Sequence, residues 1–234
     1  MSKPTVLFRT ATTALAVGAA ARVVGTLSTL APRRAPAGDI VEVRLDRVRY
    51  GSDWLARCAA IQSRGKPVLL TIRLAAEGGA WEGDEEKRLE LYREGLGELA
   101  AVDVELSSAI CRQVAREAAR LQKASVISFH DFEKTPPLGE LCAMVKEAQA
   151  IGSIAKISTM IQRQGDVEAL RSLLGRRWEK PLCVIGMGRA WSETRILFAR
   201  LGSCLAYGYV DKPTAPGQIS AAELARRLRR ALPG

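Results

Sequence analysis

The sequence predicts an α/β fold, a (β/α)8 or TIM barrel made by a single catalytic domain over residues 1–234. Three observations support this. Eight short runs of β-branched and aliphatic residues recur along the chain, helical patterns separate most of them, and no break in composition divides the sequence. Runs that stay apolar until their last residues are typical of parallel strands covered on both faces. Eight such strands favour a closed barrel, with an open doubly wound sheet as the alternative on pattern alone.

The predicted strands share an apolar body, and several end in polar residues. They cover residues 22–28, 40–46, 67–73, 102–106, 125–131, 154–159, 182–188 and 204–210. Residues 1–21 precede them and predict a β-hairpin, with one strand at 5–9 and a return strand around Ala16 and Val17. A short signal peptide is the alternative for this segment, but its core is only weakly apolar.

Three helices are predicted from apolar residues at helical spacing. The first follows the acidic residues 84–86, which suit a helix N-terminus, and the second ends at Gly152 in the position of a C-terminal cap. The last begins with Ser220 and Glu223 in capping-box spacing. The three apolar stripes are Leu89, Tyr92, Leu96 and Leu99; Leu138, Leu141, Val145, Ala148 and Ile151; and Leu224, Leu228 and Leu232.

One connection is too short for a complete βα unit. Only residues 29–39 separate the first two strands of the predicted barrel, and they include Pro32 and Pro36. A parallel crossover normally takes about a dozen residues or more with a helix. The first crossover helix is therefore predicted to be shortened or missing.

Composition restricts the classes of function. The formal charge of +10 is spread along the chain, and aromatic residues make up only 5%, too few for the stacking platforms of a single-strand binder. The five cysteines are scattered without a CxxC pair, which argues against a disulfide framework and against a zinc site. No apolar run is long enough for a membrane span. A cytoplasmic protein without nucleic-acid or membrane partners is expected.

Charged residues gather at the ends of the predicted strands, where a (β/α)8 barrel has its active site. They are Glu42, Arg44 and Asp46 on one face of the second strand, then Arg73, Asp103, Glu105, His130 and Lys156 on the next four, with residues 214–218 in the loop after the last strand. Burying an unpaired charge destabilises a protein by roughly several kcal/mol, so a purely structural core does not explain so many of them. Together they predict a polar cup that binds an anion.

Lys156 and His130 suggest a specific chemistry. A lone strand lysine is more often at an edge, and a lone histidine is more often structural. In combination, an amine kept neutral by cations such as Arg44, Arg73 and Arg195 attacks a ketone, and the only histidine moves a proton beside the resulting imine. The expected reaction is proton abstraction beside a ketone, followed by elimination or by carbon–carbon cleavage.

These residues resemble a known family, the type I 3-dehydroquinate dehydratases of the shikimate pathway, which serves aromatic amino acid biosynthesis. The resemblance runs from about residue 22 to the C-terminus. It is carried by EVRLD (42–46), TIR (71–73), VDVEL (102–106), SFHDF (128–132), AKI (155–157), GMG (186–188), TR (194–195) and APGQI (215–219). It implies a Schiff-base lyase that converts 3-dehydroquinate to 3-dehydroshikimate without a metal or an organic cofactor.

The resemblance also implies roles for individual residues. Lys156 matches the imine-forming lysine, His130 the general acid/base, and Glu105 the carboxylate that supports the histidine. The substrate-binding positions are Glu42, Arg44 and Arg73 for the ring hydroxyls, Arg195 and Gln218 for the carboxylate, Thr214 where the family usually has serine, and Met187 beside the lysine. The loop around residues 214–218 corresponds to a lid, and the N-terminal hairpin to a cover over the opposite end of the barrel.

Two other functions are compatible with parts of this pattern. Another Schiff-base barrel lyase of the aldolase type, acting on a different hydroxy-keto acid, shares the lysine but does not call for the Arg195–Gln218 carboxylate site. A basic nucleic-acid-binding protein is the rival from another class, and no binding motif accompanies the charge. The oligomeric state is left open, with a homodimer as one outcome.

Overall fold

Eight parallel strands form a nearly closed barrel in the computed structural model, which describes residues 3–32, 35–213 and 218–231. An antiparallel hairpin of β1 (Val6–Arg9) and β2 (Ala14–Val17) comes first. The barrel strands are β3 (Arg22–Leu27), β4 (Ile40–Arg44), β5 (Val68–Thr71), β6 (Ala101–Glu105), β7 (Ala124–Asp131), β8 (Ile154–Met160), β9 (Leu182–Met187) and β10 (Leu205–Tyr209). Their hydrogen-bonded order is β10-β3-β4-β5-β6-β7-β8-β9. The predicted fold, with its hairpin, is confirmed.

Six of the described helices lie between successive strands, and the seventh follows β10. They are α1 (Trp54–Gln62), α2 (Glu85–Glu98), α3 (Cys111–Arg120), α4 (Leu138–Ile151), α5 (Gln164–Leu174), α6 (Thr194–Leu201) and α7 (Ala221–Ala231). Between β3 and β4, the described residues 28–32 and 35–39 contain no helix, as predicted. The connection returns directly to the sheet because Asp39 binds β3 twice, with its N–H on the Val23 carbonyl (2.7 Å) and its carboxylate on the Val23 N–H (2.8 Å). No helix within the described ranges is both long and apolar enough to cross a membrane.

The predicted ends of α2, α4 and α7 are found at the expected residues, but the backbone at the end of α4 has a different conformation from the predicted one. Asp84 caps α2 by accepting from the Glu86 N–H, and the Ser220 hydroxyl accepts from the Glu223 N–H at the start of α7. Gly152 ends α4, but its backbone is extended (φ −122°) rather than left-handed. A Cβ at this position would lie 2.4 Å from Cγ1 of Ile127. Glycine is needed here for close packing against β7, not for a positive φ.

Side chains inside the barrel form layers because alternate residues of each strand point inward. The lower layer is apolar and includes Ile40, Leu69, Val126 and Ile154, with Phe8 and Val17 of the hairpin packed against the same cluster. Two residues further along the same strands, the inward positions become polar: Glu42, Thr71, Ser128 and Lys156. The polar cup therefore lies towards the carboxyl ends of the strands, with an apolar floor beneath it.

The barrel closes between β9 and β10, where a serine side chain replaces most of the backbone hydrogen bonds of a regular strand pair. One backbone bond crosses this seam, from the N–H of Cys204, just before β10, to the carbonyl of Leu182 on β9 (2.9 Å). The buried Ser203 hydroxyl accepts from the Val184 N–H (2.9 Å) and reaches the Leu205 carbonyl (3.0 Å). A side chain thus takes the place of missing strand pairing at this seam.

We therefore expect Ser203→Ala to lower the free energy of unfolding by about 1–3 kcal/mol, because the buried Val184 N–H loses its acceptor. Urea denaturation followed by circular dichroism measures the change. Ser63→Ala is the matched control, because the Ser63 hydroxyl contacts the Ala60 carbonyl at an exposed site. Equal stability of the two variants would contradict this role for Ser203.

Candidate active site

Lys156 lies in the polar layer of the barrel on β8, with its amine nearly excluded from solvent. Its Nζ donates to Oδ2 of Asp103 on β6 (2.9 Å) and lies 4.4 Å from the ring centroid of Tyr207 on β10. The lysine side chain is 5% exposed and the aspartate 0%. A buried amine between a carboxylate and an aromatic face is positioned by the barrel and is not an edge lysine.

Arg73, just past the end of β5, bridges two buried carboxylates. Its Nη2 donates to Oδ1 of Asp103 (2.6 Å), and its Nη1 donates to the Ser128 hydroxyl (2.7 Å) and lies 3.0 Å from Oε1 of Glu105. Burial alone would raise the pKa of Asp103, but Arg73 and Lys156 together hold that pKa well below its usual range. Asp103 is consequently an anion, and it binds both cations.

Glu105 is held from outside the barrel by a buried arginine of α2. Arg88 forms an ion pair with Oε2 of Glu105 and also donates to the Ile72 carbonyl (2.8 Å). The other oxygen of Glu105 accepts from the Leu74 N–H (2.9 Å). Both side chains are fully buried. Glu105 therefore anchors Arg73 and the start of the following loop to the barrel wall.

His130 is paired with Glu77, not with Glu105. Glu77 lies in a short 3-10 helix (Ala75–Glu77) after β5, and its Oε2 is 2.9 Å from Nδ1 of His130 and accepts from the His130 N–H (3.1 Å). Its other oxygen accepts from the Ser107 hydroxyl (2.5 Å). The expectation that Glu105 supports the histidine is corrected here: both Glu105 oxygens are occupied by Arg73, Arg88 and the Leu74 N–H.

The histidine is kept neutral by its surroundings. Burial, followed by the positive charges of Arg73 and Lys156, lowers the pKa of His130 well below its ordinary value. Burial also raises the pKa of Glu77, although the Ser107 hydroxyl and Arg73 oppose the shift. With a carboxylate at Nδ1, the imidazole proton is held on that side, and Nε2 is left as the basic nitrogen.

The expected hydroxyl-binding residues line the same cup. Glu42 accepts from the hydroxyls of Thr26 (2.7 Å) and Thr71 (2.9 Å) and is almost fully buried. Arg44 is held by Asp46 through two hydrogen bonds. Together with Arg73, these side chains surround the space above Lys156 with donors and acceptors that suit a polyhydroxylated ring.

The expected carboxylate site is described in part. Arg195, at the start of α6, donates from Nη1 to the Tyr207 carbonyl (3.3 Å), and its buried Nε has no partner in the described part of the chain. No ion pair of Arg195 with an acidic residue occurs among the described residues, and burial lowers its pKa. Met187 ends β9 beside the inner apolar cluster, and Gln218 is half-buried. Thr214 lies outside the described residues.

Three residues complete the site without having been given a role by the sequence. Asp103 shares the inner face of β6 with Glu105, and strand alternation places it in the predicted polar cup, but no task was predicted for it. Glu77 follows Arg73 by four residues, but it lies in a loop, where no periodicity indicates its direction. Tyr207 is an inward residue of β10, and the sequence offers no sign that it lies beneath the lysine.

The geometry combines a buried amine, a neutral histidine held by a carboxylate, and a half-buried arginine that has no acidic partner among the described residues. The family model described as "Type I 3-dehydroquinase" matches residues 22–231, which is most of the chain. The chain belongs to the type I 3-dehydroquinase family. Within this family, the similarity extends across the whole barrel, including every strand that carries a site residue.

Relatives and solved structures agree with this membership. A 3-dehydroquinate dehydratase of Pyrobaculum aerophilum is 44% identical over 66% of this chain, and the chain spans half of that longer protein. The 3-dehydroquinate dehydratase of Methanocaldococcus jannaschii is 35% identical over 77% of this chain and 82% of its own length. The crystal structure of 3-dehydroquinate dehydratase from Geobacillus kaustophilus superposes with a TM-score of 0.82 at 26% identity and covers 92% of each chain.

The buried histidine predicts how stability depends on pH. In the unfolded chain His130 titrates near 6.5, whereas its pKa in the folded chain is lower. As the pH falls from about 6.5 towards the folded pKa, the unfolded chain binds a proton that the folded chain does not. The free energy of unfolding then falls by up to about 1.4 kcal/mol per pH unit because of this group.

His130→Gln should remove that contribution, since the chain has only one histidine. Denaturant unfolding of the wild type and the variant between pH 5 and about 7 measures the difference, and Glu77, present in both proteins, contributes to both curves. Parallel pH dependences would show that the folded protein does not hold His130 neutral.

Proposed function

We propose that this chain dehydrates 3-dehydroquinate to 3-dehydroshikimate through a Schiff base on Lys156. The observation that carries the proposal is the placement of Lys156 inside the barrel, one strand from His130 and in contact with Asp103. A buried amine beside a neutral imidazole suits imine formation followed by proton removal from the adjacent carbon. The family membership supports the same reaction.

The reaction divides between the two residues. The Lys156 ammonium first gives up a proton to solvent water. The free amine then attacks the ketone carbon, and loss of water from the carbinolamine gives the imine. Nε2 of His130 then takes a proton from the adjacent carbon, and the protonated histidine returns a proton to the tertiary hydroxyl, which leaves as water. Hydrolysis of the imine releases the conjugated product and restores the amine. No metal or organic cofactor takes part in this sequence.

Glu77 and Glu105 have different tasks in this proposal. Glu77 orients His130 and stabilises its protonated form, because its carboxylate lies at Nδ1. Glu105 fixes Arg73 through its ion pairs. Glu105 therefore supports the ring-binding arginine and not the acid/base itself.

Substrate recognition follows from the charges of the cup. Arg195 takes the substrate carboxylate, since it is a half-buried cation with no acidic partner in the described ranges. Gln218 and Thr214 assist it from the loop after β10, and Glu42, Arg44 and Arg73 take the ring hydroxyls. Met187 packs beside Lys156. An aldolase-type substrate gives no reason for a carboxylate site at Arg195, which disfavours that alternative.

The cysteines bear on the cellular location in which this function takes place. All five cysteines are unpaired in the structure, which supports a reducing, cytoplasmic location. We propose one catalytic domain that acts on a small-molecule substrate, with no nucleic-acid or membrane partner. The activity is tested directly by adding 3-dehydroquinate and measuring the ultraviolet absorbance of the conjugated enone that forms.

Borohydride trapping separates the roles of Lys156 and His130. With substrate present, borohydride should reduce the imine and so attach the ligand covalently to Lys156. Peptide mass mapping identifies the labelled residue. Lys156→Ala should lose both the adduct and nearly all turnover. His130→Ala should lose about 10²–10⁴-fold in kcat yet still accept the label, because the amine remains. Lys146→Ala, at an exposed position on α4, is the matched control. A label on any other lysine would refute the mechanism.

Arg195→Ala should raise KM sharply and leave Lys156 able to react with small ketones. The lost contact is a charge-assisted hydrogen bond of about 1.5–3 kcal/mol. Arg229→Ala, on the exposed face of α7, controls for the loss of one positive charge. Steady-state kinetics of the two variants give the comparison. A wild-type KM in Arg195→Ala would place the carboxylate elsewhere.

A further inference from the structure

Asp46 is a buried carboxylate of the EVRLD stretch for which the proposed chemistry has no task. It follows β4, and its side chain is 0% exposed. Arg44, together with the backbone N–H groups of Arg73 and Ala80, holds the pKa of Asp46 below its usual value despite burial. An anion in this position must be satisfied by partners, and its partners are informative.

The first partner is Arg44. Asp46 Oδ1 accepts from Nε (2.9 Å) and Oδ2 from Nη2 (2.7 Å). This two-point contact fixes the plane of the guanidinium, which a single bond would not do. It also engages one edge of the guanidinium and leaves Nη1 as the donor for a ligand. The direction in which Arg44 presents that donor is therefore set by Asp46.

The second partner is the loop that carries Glu77. The same Oδ2 of Asp46 accepts from the Ala80 N–H (3.1 Å), and the neighbouring Arg47 donates from Nη2 to the Gly78 carbonyl (2.7 Å). The loop is tightly folded, since a Cβ on Gly79 would lie 2.0 Å from the Arg73 carbonyl oxygen. Its position relative to β4 is thus fixed at Asp46 and Arg47, and Glu77 projects from it to His130.

We propose that Asp46 is a positioning residue that couples ring-hydroxyl binding by Arg44 to acid/base chemistry by the Glu77–His130 pair. This inference rests on the proposed function. A shift of Arg44 changes the position of the Asp46 carboxylate, and that carboxylate holds the loop on which Glu77 aligns the imidazole. Asp46 itself touches neither the reacting carbon nor the amine.

Asp46→Asn tests the coupling with little change of shape. An amide offers one acceptor oxygen and one donor nitrogen in place of two acceptor oxygens, so it cannot keep the Oδ1 contact to Nε of Arg44 together with the Oδ2 contacts to Nη2 of Arg44 and the Ala80 N–H. The loss of the negative charge also weakens the contacts that remain. We expect a higher KM through Arg44 and a lower kcat through His130, with kcat/KM reduced about 10- to 100-fold. Asp53→Asn is the matched control, because Asp53 forms an exposed ion pair with Arg57 on α1, and its kinetics should equal those of the wild type.

Two double-mutant cycles separate this role from a merely structural one. The combined effect of Asp46→Asn with Arg44→Gln on KM, and of Asp46→Asn with Glu77→Gln on kcat, should each be smaller than the product of the single effects, because both changes of a pair act through the same contacts. Losses that multiply in either cycle, or wild-type kinetics of Asp46→Asn, would overturn the inference. If Asp46→Asn does not fold, Asp46→Glu keeps the charge and displaces both contacts, and the same cycles are measured with it.

Failure of this inference is distinguishable from failure of the proposed function. A wild-type protein that forms no enone from 3-dehydroquinate contradicts the function itself. An active wild type with multiplicative cycles contradicts only the role of Asp46.

Discussion

Arg73 is the group on which the charged interior of the barrel depends, because two fully buried carboxylates share it. Asp103 and Glu105 lie on the inner face of one strand, and neither has any exposure to water. Leaving one such charge unpaired typically costs about 3–5 kcal/mol. With Arg88 on the outer side and Lys156 on the inner side, the charges alternate in sign from α2 to the barrel centre. The strand order brings these residues together, and the alternation makes their burial tolerable.

This arrangement also separates the tasks of the titratable groups. The cations keep Asp103 ionised, so that its carboxylate does not compete for the substrate proton. The same cations lower the pKa of His130 and leave it as a free base. Both pKa values are lowered, and the result is one ionised carboxylate and one neutral imidazole in the same interior. Arg73 and Lys156 thus act on both groups, which explains why a lysine, a histidine and an aspartate can share one small interior.

How far the sequence predicts this structure depends on whether a residue lies in a periodic element. Strand alternation places Glu42, Glu105 and Lys156 on inward faces, and the short connection at 29–39 predicts the missing helix, all in agreement with the fold. Alternation says nothing about loops, and so Glu77 was missed and its role was assigned to Glu105. Arg88 lies on a helix, where a charged residue ordinarily indicates a solvated face. Its burial follows from the depth at which α2 packs on the strands, which no local pattern encodes.

The apolar floor explains why reactivity is confined to Lys156. Cys183, its neighbour on β9, is fully buried, and burial raises the pKa of its thiol to about 12. That cysteine is therefore an uncharged neighbour and not a second nucleophile. Phe8 and Val17 of the hairpin pack against the same inner cluster from below. The amine is consequently open towards the carboxyl ends of the strands, where the loop bearing Glu77 and the strand bearing His130 meet. In the proposed function, the ketone enters from this side and lies between the amine and the base.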